Sequence, residues 1–185
     1  MKLITLRLGA FFLLTLFVNS NVHAVDKYLL NAGDILDISV WKEESLQKTV
    51  VVLPDGMISF PLAGEQQAVG KSVTEIEQGL KKSLAEYIEE PLVTVVVASV
   101  NGNTVHVLGK ALTPGSFVMS QQLNVVQALS LAGGLSPYAE ENNIIVLRQQ
   151  AGGQKVIPVR YADIKKGRDI SSNITLKSGD VIVIP

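Results

Sequence analysis

The 185-residue chain sets 16 basic against 17 acidic side chains, a formal charge of −1, and contains no cysteine and only 5% aromatic residues. So even a balance gives no electrostatic footprint for nucleic acid or for an anionic membrane surface. The missing cysteine excludes disulfides, a thiol nucleophile, cysteine-based metal sites and a lipid attached to an N-terminal cysteine.

Residues 1–24 read as a secretory leader. Lys2 and Arg7 give a positive start, Leu8 to Val18 is an uncharged apolar run, and Val22-His23-Ala24 places acceptable residues before a cleavage point after Ala24. The run falls well short of the roughly 20 residues a membrane-spanning helix needs, so a retained anchor is the lesser reading. Loss of Lys2 and Arg7 leaves 14 basic residues against 17 acidic, a formal charge of −3. Val25 to Pro185 is enough chain for one ordinary domain or two small ones, and the pattern favours two.

After the turn signal Asn31-Ala32-Gly33-Asp34, Leu36, Ile38 and Val40 alternate with Asp37, Ser39 and Trp41, the period of a half-buried strand. Thr49–Leu53 and Met57–Leu62 read as two further strands joined at Pro54-Asp55-Gly56 in a hairpin. Ser72–Ile88 changes period: Val73, Ile76, Leu80, Leu84 and Tyr87 recur at three and four, and Ser72 with Glu75 fits a capping box. Pro91 ends that helix, and valine-rich Leu92–Val100 predicts a well-buried strand.

Asn101-Gly102-Asn103 reads as the boundary, dividing a unit at 25–101 from one at 102–185. Beyond it, Thr104–Leu108 is a strand, Thr113-Pro114-Gly115 a turn and Phe117–Met119 a short return strand. A helix over about Asn124–Ala132 stops at Gly133-Gly134. Ile144–Arg148 and Val156–Val159 flank Gly152-Gly153 as a hairpin, Pro158 placing the second arm near a sheet edge, and Val181–Ile184 is the last strand. The fold class expected is α+β, two small β-rich domains. Gly33-Asp34 and Gly179-Asp180 echo each other, each directly before a strand; turn chemistry accounts for both.

The residues Tyr28-x-Leu30-x-x-Gly33-Asp34-x-Leu36-x-Ile38-x-Val40-Trp41, followed by Val52-x-Pro54-Asp55-Gly56-x-Ile58-x-x-Pro61-Leu62-x-Gly64 and Pro91-x-Val93-x-Val95, resemble a polysaccharide biosynthesis and export domain. Val105-x-Val107-x-Gly109-x-x-x-x-Pro114-Gly115, Ala128-x-x-x-Ala132-Gly133-Gly134 and Gly179-Asp180-x-Ile182-x-x-Pro185 resemble a soluble-ligand-binding β-grasp domain. The pair is similar to the outer-membrane polysaccharide exporters. The resemblance implies a mixed sheet with one helix in the first domain, and a non-enzymatic homo-oligomeric ring around a polysaccharide polymer. It also implies an inner-membrane co-polymerase, often carrying a tyrosine kinase, as partner. Larger members add a lipidated cysteine, a further β-grasp domain and a C-terminal pore helix. Their counterparts are missing from this sequence, so the expectation is a periplasmic piece that works with a separate outer-membrane β-barrel.

Enzymatic alternatives fare poorly. His106 is the one histidine after the leader, between Val105 and Val107, and reads as a solvent-facing strand residue. The carboxylate pairs Glu43-Glu44, Glu89-Glu90 and Glu140-Glu141 have the residue type that glycoside hydrolysis requires, but they read as solvated charges of loops or helix ends. No catalytic residue, metal or cofactor is expected. Trp41 offers a stacking face to a sugar, with core packing the favoured reading. A stand-alone β-grasp binding module and a regulator of the co-polymerase are the competing functions.

Overall fold

The computed structural model describes residues 27–185, so the leader expected over residues 1–24 lies outside them. Alternation in β1 (Ile35–Val40) sends Leu36, Ile38 and Val40 into a core, and the strand takes the centre of an antiparallel sheet. Its neighbours are β2 (Glu43–Val51) and β5 (Val93–Ser99). β2 begins well before the Thr49 expected, because Glu43–Lys48 is polar and only Leu46 is buried: an edge strand needs no apolar alternation. β5 is likewise an edge. Of the valines expected to be well buried only Val95 is so, while Val96 faces outward, because valine content reports strand preference and not burial.

The Pro54-Asp55-Gly56 turn forms, with Gly56 N–H donating to Leu53 O at 2.9 Å and Met57 N–H to Asp55 Oδ1 at 2.9 Å. The hairpin predicted across it does not form. β2 pairs with β1, while β3 (Met57–Phe60) pairs with β4 (Gly64–Gln67), a strand whose polar sequence gave no signal. Ile58 and Phe60 are buried beneath α1 (Val73–Leu84), which presents Ile76, Leu80 and Leu84. Glu75 reaches back to accept from Ser72 N–H at 2.8 Å and Ser72 Oγ at 2.6 Å, fixing the helix start as the sequence predicts. The helix stops short of Ile88, leaving Tyr87 exposed.

The second core lies between one helix and a five-stranded sheet ordered β7-β6-β10-β8-β9. These strands are β6 (Thr104–Gly109), β7 (Gly115–Val118), β8 (Ile144–Gln150), β9 (Gly153–Val159) and β10 (Val181–Ile184). The C-terminal β10 slots between β6, to which it runs parallel, and β8, to which it runs antiparallel. This is the one parallel ladder among the described residues, so the mixed sheet belongs to the second unit, and the ladders of the first are antiparallel. Val105, Val107, Val146, Ile182 and Ile184 bury against Val125, Ala128 and Leu129 of α2 (Val125–Leu131). Asn124 caps that helix, accepting from Gln127 N–H while its own N–H donates to Gln127 Oε1, both at 2.9 Å. β9 is an edge strand, which accommodates Pro158. A short α3 (Tyr161–Lys165) and a 3-10 turn at Ile170–Ser172, both in polar sequence, went unread.

At the end of β6, Gly109 adopts φ +89°, and a Cβ there would stand 2.1 Å from the Ile184 carbonyl oxygen. Gly109→Ala is therefore expected to cost about 2–4 kcal/mol, from clash and left-handed strain together. Gly115→Ala, at a site with open space around it, should stay within about 0.5 kcal/mol. Urea midpoints of the two variants check this, and equal midpoints would contradict the crowding.

Candidate functional site

Asp34 and Asp180 are 0% and 1% exposed, and each accepts the backbone N–H three residues earlier, from Asn31 and Lys177, both at 2.8 Å. The echo in the sequence is thus one turn device used twice, as the turn reading expected. What each carboxylate does beyond its turn differs.

Asp180 takes a two-pronged grip from Arg148, whose Nε lies at 2.9 Å and Nη2 at 2.6 Å; the same Nη2 also donates to Thr175 O at 2.9 Å. The hydrogen bond to Asp180 raises the Arg148 pKa, so the guanidinium stays charged despite its burial. Asp34 reaches across to the other unit. Its Oδ2 accepts from Tyr28 OH at 2.6 Å, and its Oδ1 accepts from Gly102 N–H at 2.9 Å. Burial first, and then the bond to Asp34, push the Tyr28 phenol above its usual 10.0, so it stays neutral and donating.

Gly102 is held from both sides. Asp34 of the first unit binds its N–H, and Ser178 Oγ of the second donates to its carbonyl at 2.9 Å. The packing also demands glycine, since a Cβ would stand 2.2 Å from Ala32 O. Beside this clamp lies an open groove of about 1010 Å³ between the two units. Asn31, Val97 and Val100 line it on one side and Asn103, Gln121 and Lys177 on the other. A smaller depression of about 370 Å³ separates α1 from β5, where Glu77 Oε1 accepts the Val95 N–H at 3.0 Å.

The remaining motif residues lie in turns or at the first residue of a strand, as Gly64 and Gly115 do, and do not converge. Gly33, Gly56, Gly64, Gly133, Gly134 and Gly179 have positive φ; Gly115 does not, and opens β7 directly after Pro114. Pro54 and Asp55 sit in the turn before β3, and Pro61 follows that strand.

Trp41 corrects the core-packing expectation: it is 70% exposed at the tip of the β1–β2 turn, its N–H donating to Leu92 O at 2.9 Å. A two-residue turn turns the ring outward, and Lys42 beside it takes φ +65°. His106 Nδ1 lies 2.7 Å from Ser116 Oγ across the β6–β7 pair, on the face away from the core. Glu43 and Glu44 open β2, a strand where a loop was expected, because the edge position tolerates charge. Glu89 and Glu90 follow α1, and Glu140 and Glu141 bind Asn143 and Lys165. One cluster had no sequence signal: Asp163 binds Arg160 at 2.8 Å and Arg168 at 3.0 Å, and chiefly the Arg160 hydrogen bond lowers its pKa.

A family model for polysaccharide biosynthesis/export proteins matches residues 22–98, and an SLBB domain model matches residues 103–184. The chain belongs to the polysaccharide export family. Among family relatives, it is 28% identical over 179 residues to the EPS I polysaccharide export outer membrane protein EpsA of Ralstonia nicotianae, covering 84% of this chain and 46% of that protein. It is 25% identical over 174 residues to the capsule polysaccharide export outer membrane protein CtrA of Neisseria meningitidis serogroup A, covering 84% and 43%. It is 30% identical over 123 residues to the exopolysaccharide production protein ExoF of Rhizobium meliloti, covering 60% and 29%. The chain thus spans about half the length, or less, of these curated relatives. No helix among the described residues is long and apolar enough to cross a membrane, which says nothing of β-barrel strands.

Two predictions test the paired carboxylates. Because the folded Tyr28 pKa is raised, its contribution is complete below pH 10 and is lost as pH rises through the folded value. Wild type should therefore lose up to about 1.4 kcal/mol per pH unit more than Tyr28→Phe above pH 10, read from urea midpoints. Asp180→Ala strands a buried guanidinium and should cost about 3–5 kcal/mol, whereas Arg148→Met with Asp180→Asn recovers at least half of that in the same assay.

Proposed function

We propose that the protein is a non-enzymatic subunit of a machine that exports capsular polysaccharide or exopolysaccharide. It works in the periplasm, associated with the outer membrane through partners, as part of a ring-like conduit for the polymer. The observation that carries this reading is the succession of an export domain and an SLBB domain over residues 22–98 and 103–184. Relatives named as export outer membrane proteins support the same role. Gly102 marks the division between a unit at 25–101 and one at 102–185.

The surface supports assembly. β2, β5, β7 and β9 are sheet edges, and Leu92, Val96, Leu112 and Tyr138 are large apolar side chains left exposed on both units. A ring closes only when one patch on each subunit meets a different patch on the next, and two unlike units in series provide unlike patches. The partners on this reading are the polymer, further copies of the chain, an inner-membrane co-polymerase with tyrosine kinase activity, and a separate outer-membrane β-barrel. Exposed Trp41 gives a passing sugar ring a face to stack on.

Deleting the gene should abolish surface polysaccharide and trap polymer within the envelope, with the wild-type gene restoring the surface polymer. Unchanged surface polymer in the deletion strain would overturn the export reading. Envelope extracts should contain the protein in an assembly several times the monomer mass; a monomer under every condition, partner present, would favour a stand-alone binding module.

A further inference from the structure

The groove beside the Gly102 clamp has a lining suited to a particular ligand chemistry. Gln121 and Gln122 present carboxamides, groups that both donate and accept, as sugar hydroxyls do, while Asn31 and Asn103, whose Nδ2 atoms donate to Tyr28 OH and Leu29 O and to Met119 O, offer their Oδ1 atoms as acceptors. Gln121 and Gln122 are exposed, so their amides face solvent until a ligand arrives. Lys27 and Lys177 add two positive charges, one from each unit, and among the described residues no carboxylate lines the groove. Asp34 and Asp180 flank it but are buried and occupied, Asp34 accepting from Tyr28, Asn31 and Gly102 and Asp180 from Arg148 and the Lys177 N–H, while exposed Glu75, which feels the charge of Lys27, stands outside the lining. Both buried acids are thus turned inward, so Lys177, with Lys27 whose charge Glu75 shares, sets the sign of the groove.

From this lining we infer that the interdomain groove is a binding site for an acidic oligosaccharide stretch, one whose sugars carry carboxylates. The proposal rests on the export reading for the identity of its ligand class, and it adds a site and a charge preference to it. Amides from both units bind the hydroxyls, and Lys27 and Lys177 bind the carboxylates. The site is open and solvated, so affinity is low, with a Kd on the order of 1 mM. Weak binding suits a surface that must release its cargo. Because the lining comes from both units, occupancy also ties them together across Gly102 without any change in fold.

The test is an NMR titration of the isotope-labelled purified protein with hexagalacturonate and, separately, with neutral cellohexaose. The expected result is a set of amide shifts confined to the groove, centred on residues 27–31, 119–122 and 177–178, with hexagalacturonate binding at least about fivefold more tightly than cellohexaose. Added salt should narrow that difference. Lys27→Gln with Lys177→Gln should remove the preference for the acid, and Gln121→Ala with Gln122→Ala should weaken both sugars. All four positions are exposed, so folded amide dispersion is expected in every variant. Shifts absent at 20 mM sugar (~20 times the proposed Kd), shifts centred elsewhere, or equal affinity for the two sugars would each overturn the proposal. The outcome is separable from the export reading. A deletion strain whose surface polymer is restored by wild type, with no shift in the titration, sinks the groove alone; a clear titration with no polymer phenotype sinks the export role alone.

Discussion

The two units share a single peptide group. The N–H of Gly102 belongs to the first unit, through Asp34, and its carbonyl to the second, through Ser178. A linker left free would gain roughly 1–2 kcal/mol of conformational entropy per residue, so a handful of linker residues is enough to make two small domains move independently. Here both backbone groups of Gly102 and of Asn103 are bound. Asn103 N–H donates to Val100 O, Ser99 Oγ to Asn101 Oδ1, and Asn103 Nδ2 to Met119 O, in addition to the two bonds on Gly102. Hydrogen bonds to a charged acceptor contribute about 1.5–3 kcal/mol and neutral ones about 1 kcal/mol, which together match the entropy of holding the linker still.

Asp34, Asp163 and Asp180 are the buried carboxylates among the described residues, and each is saturated by backbone, phenol or guanidinium donors. A general base must keep an open lone pair aimed at substrate. These three spend their lone pairs on holding turns, a linker and a short helix. Their arrangement is that of scaffold.

What was legible in the sequence follows from where the signal is stored. Elements with one buried face, such as β1, α1 and α2, show their period directly, and the capping pairs Ser72/Glu75 and Asn124/Gln127 mark their starts. Edge elements carry no such constraint. Glu43–Lys48 and Gly64–Gln67 are strands made by pairing with a neighbour, and their polar sequences encode only solubility. The hairpin misread at Pro54-Asp55-Gly56 has a related cause: turn residues specify a reversal of direction, but the partner of each strand is chosen by the core it helps to cover. Gly33-Asp34 and Gly179-Asp180 were legible as turns. That Asp34 also reaches Gly102 was not, because a contact between residues 68 positions apart leaves no local pattern.

Trp41 shows how position changes the meaning of a residue type. In the middle of β1 it would be a core aromatic; one step beyond the last paired residue it stands in solvent, beside Leu92 and next to Lys42 in a left-handed conformation. Glu90, a second non-glycine residue with positive φ, lies just before Leu92, at the same end of the first unit. Strained backbone and exposed apolar surface each cost stability, and both persist only where the surrounding structure holds them. β1 and β5 fix that end by running antiparallel from it to the Gly102 clamp at the other. The first unit therefore runs from a tip where Trp41 stands exposed to a polar junction where Asp34 holds Gly102.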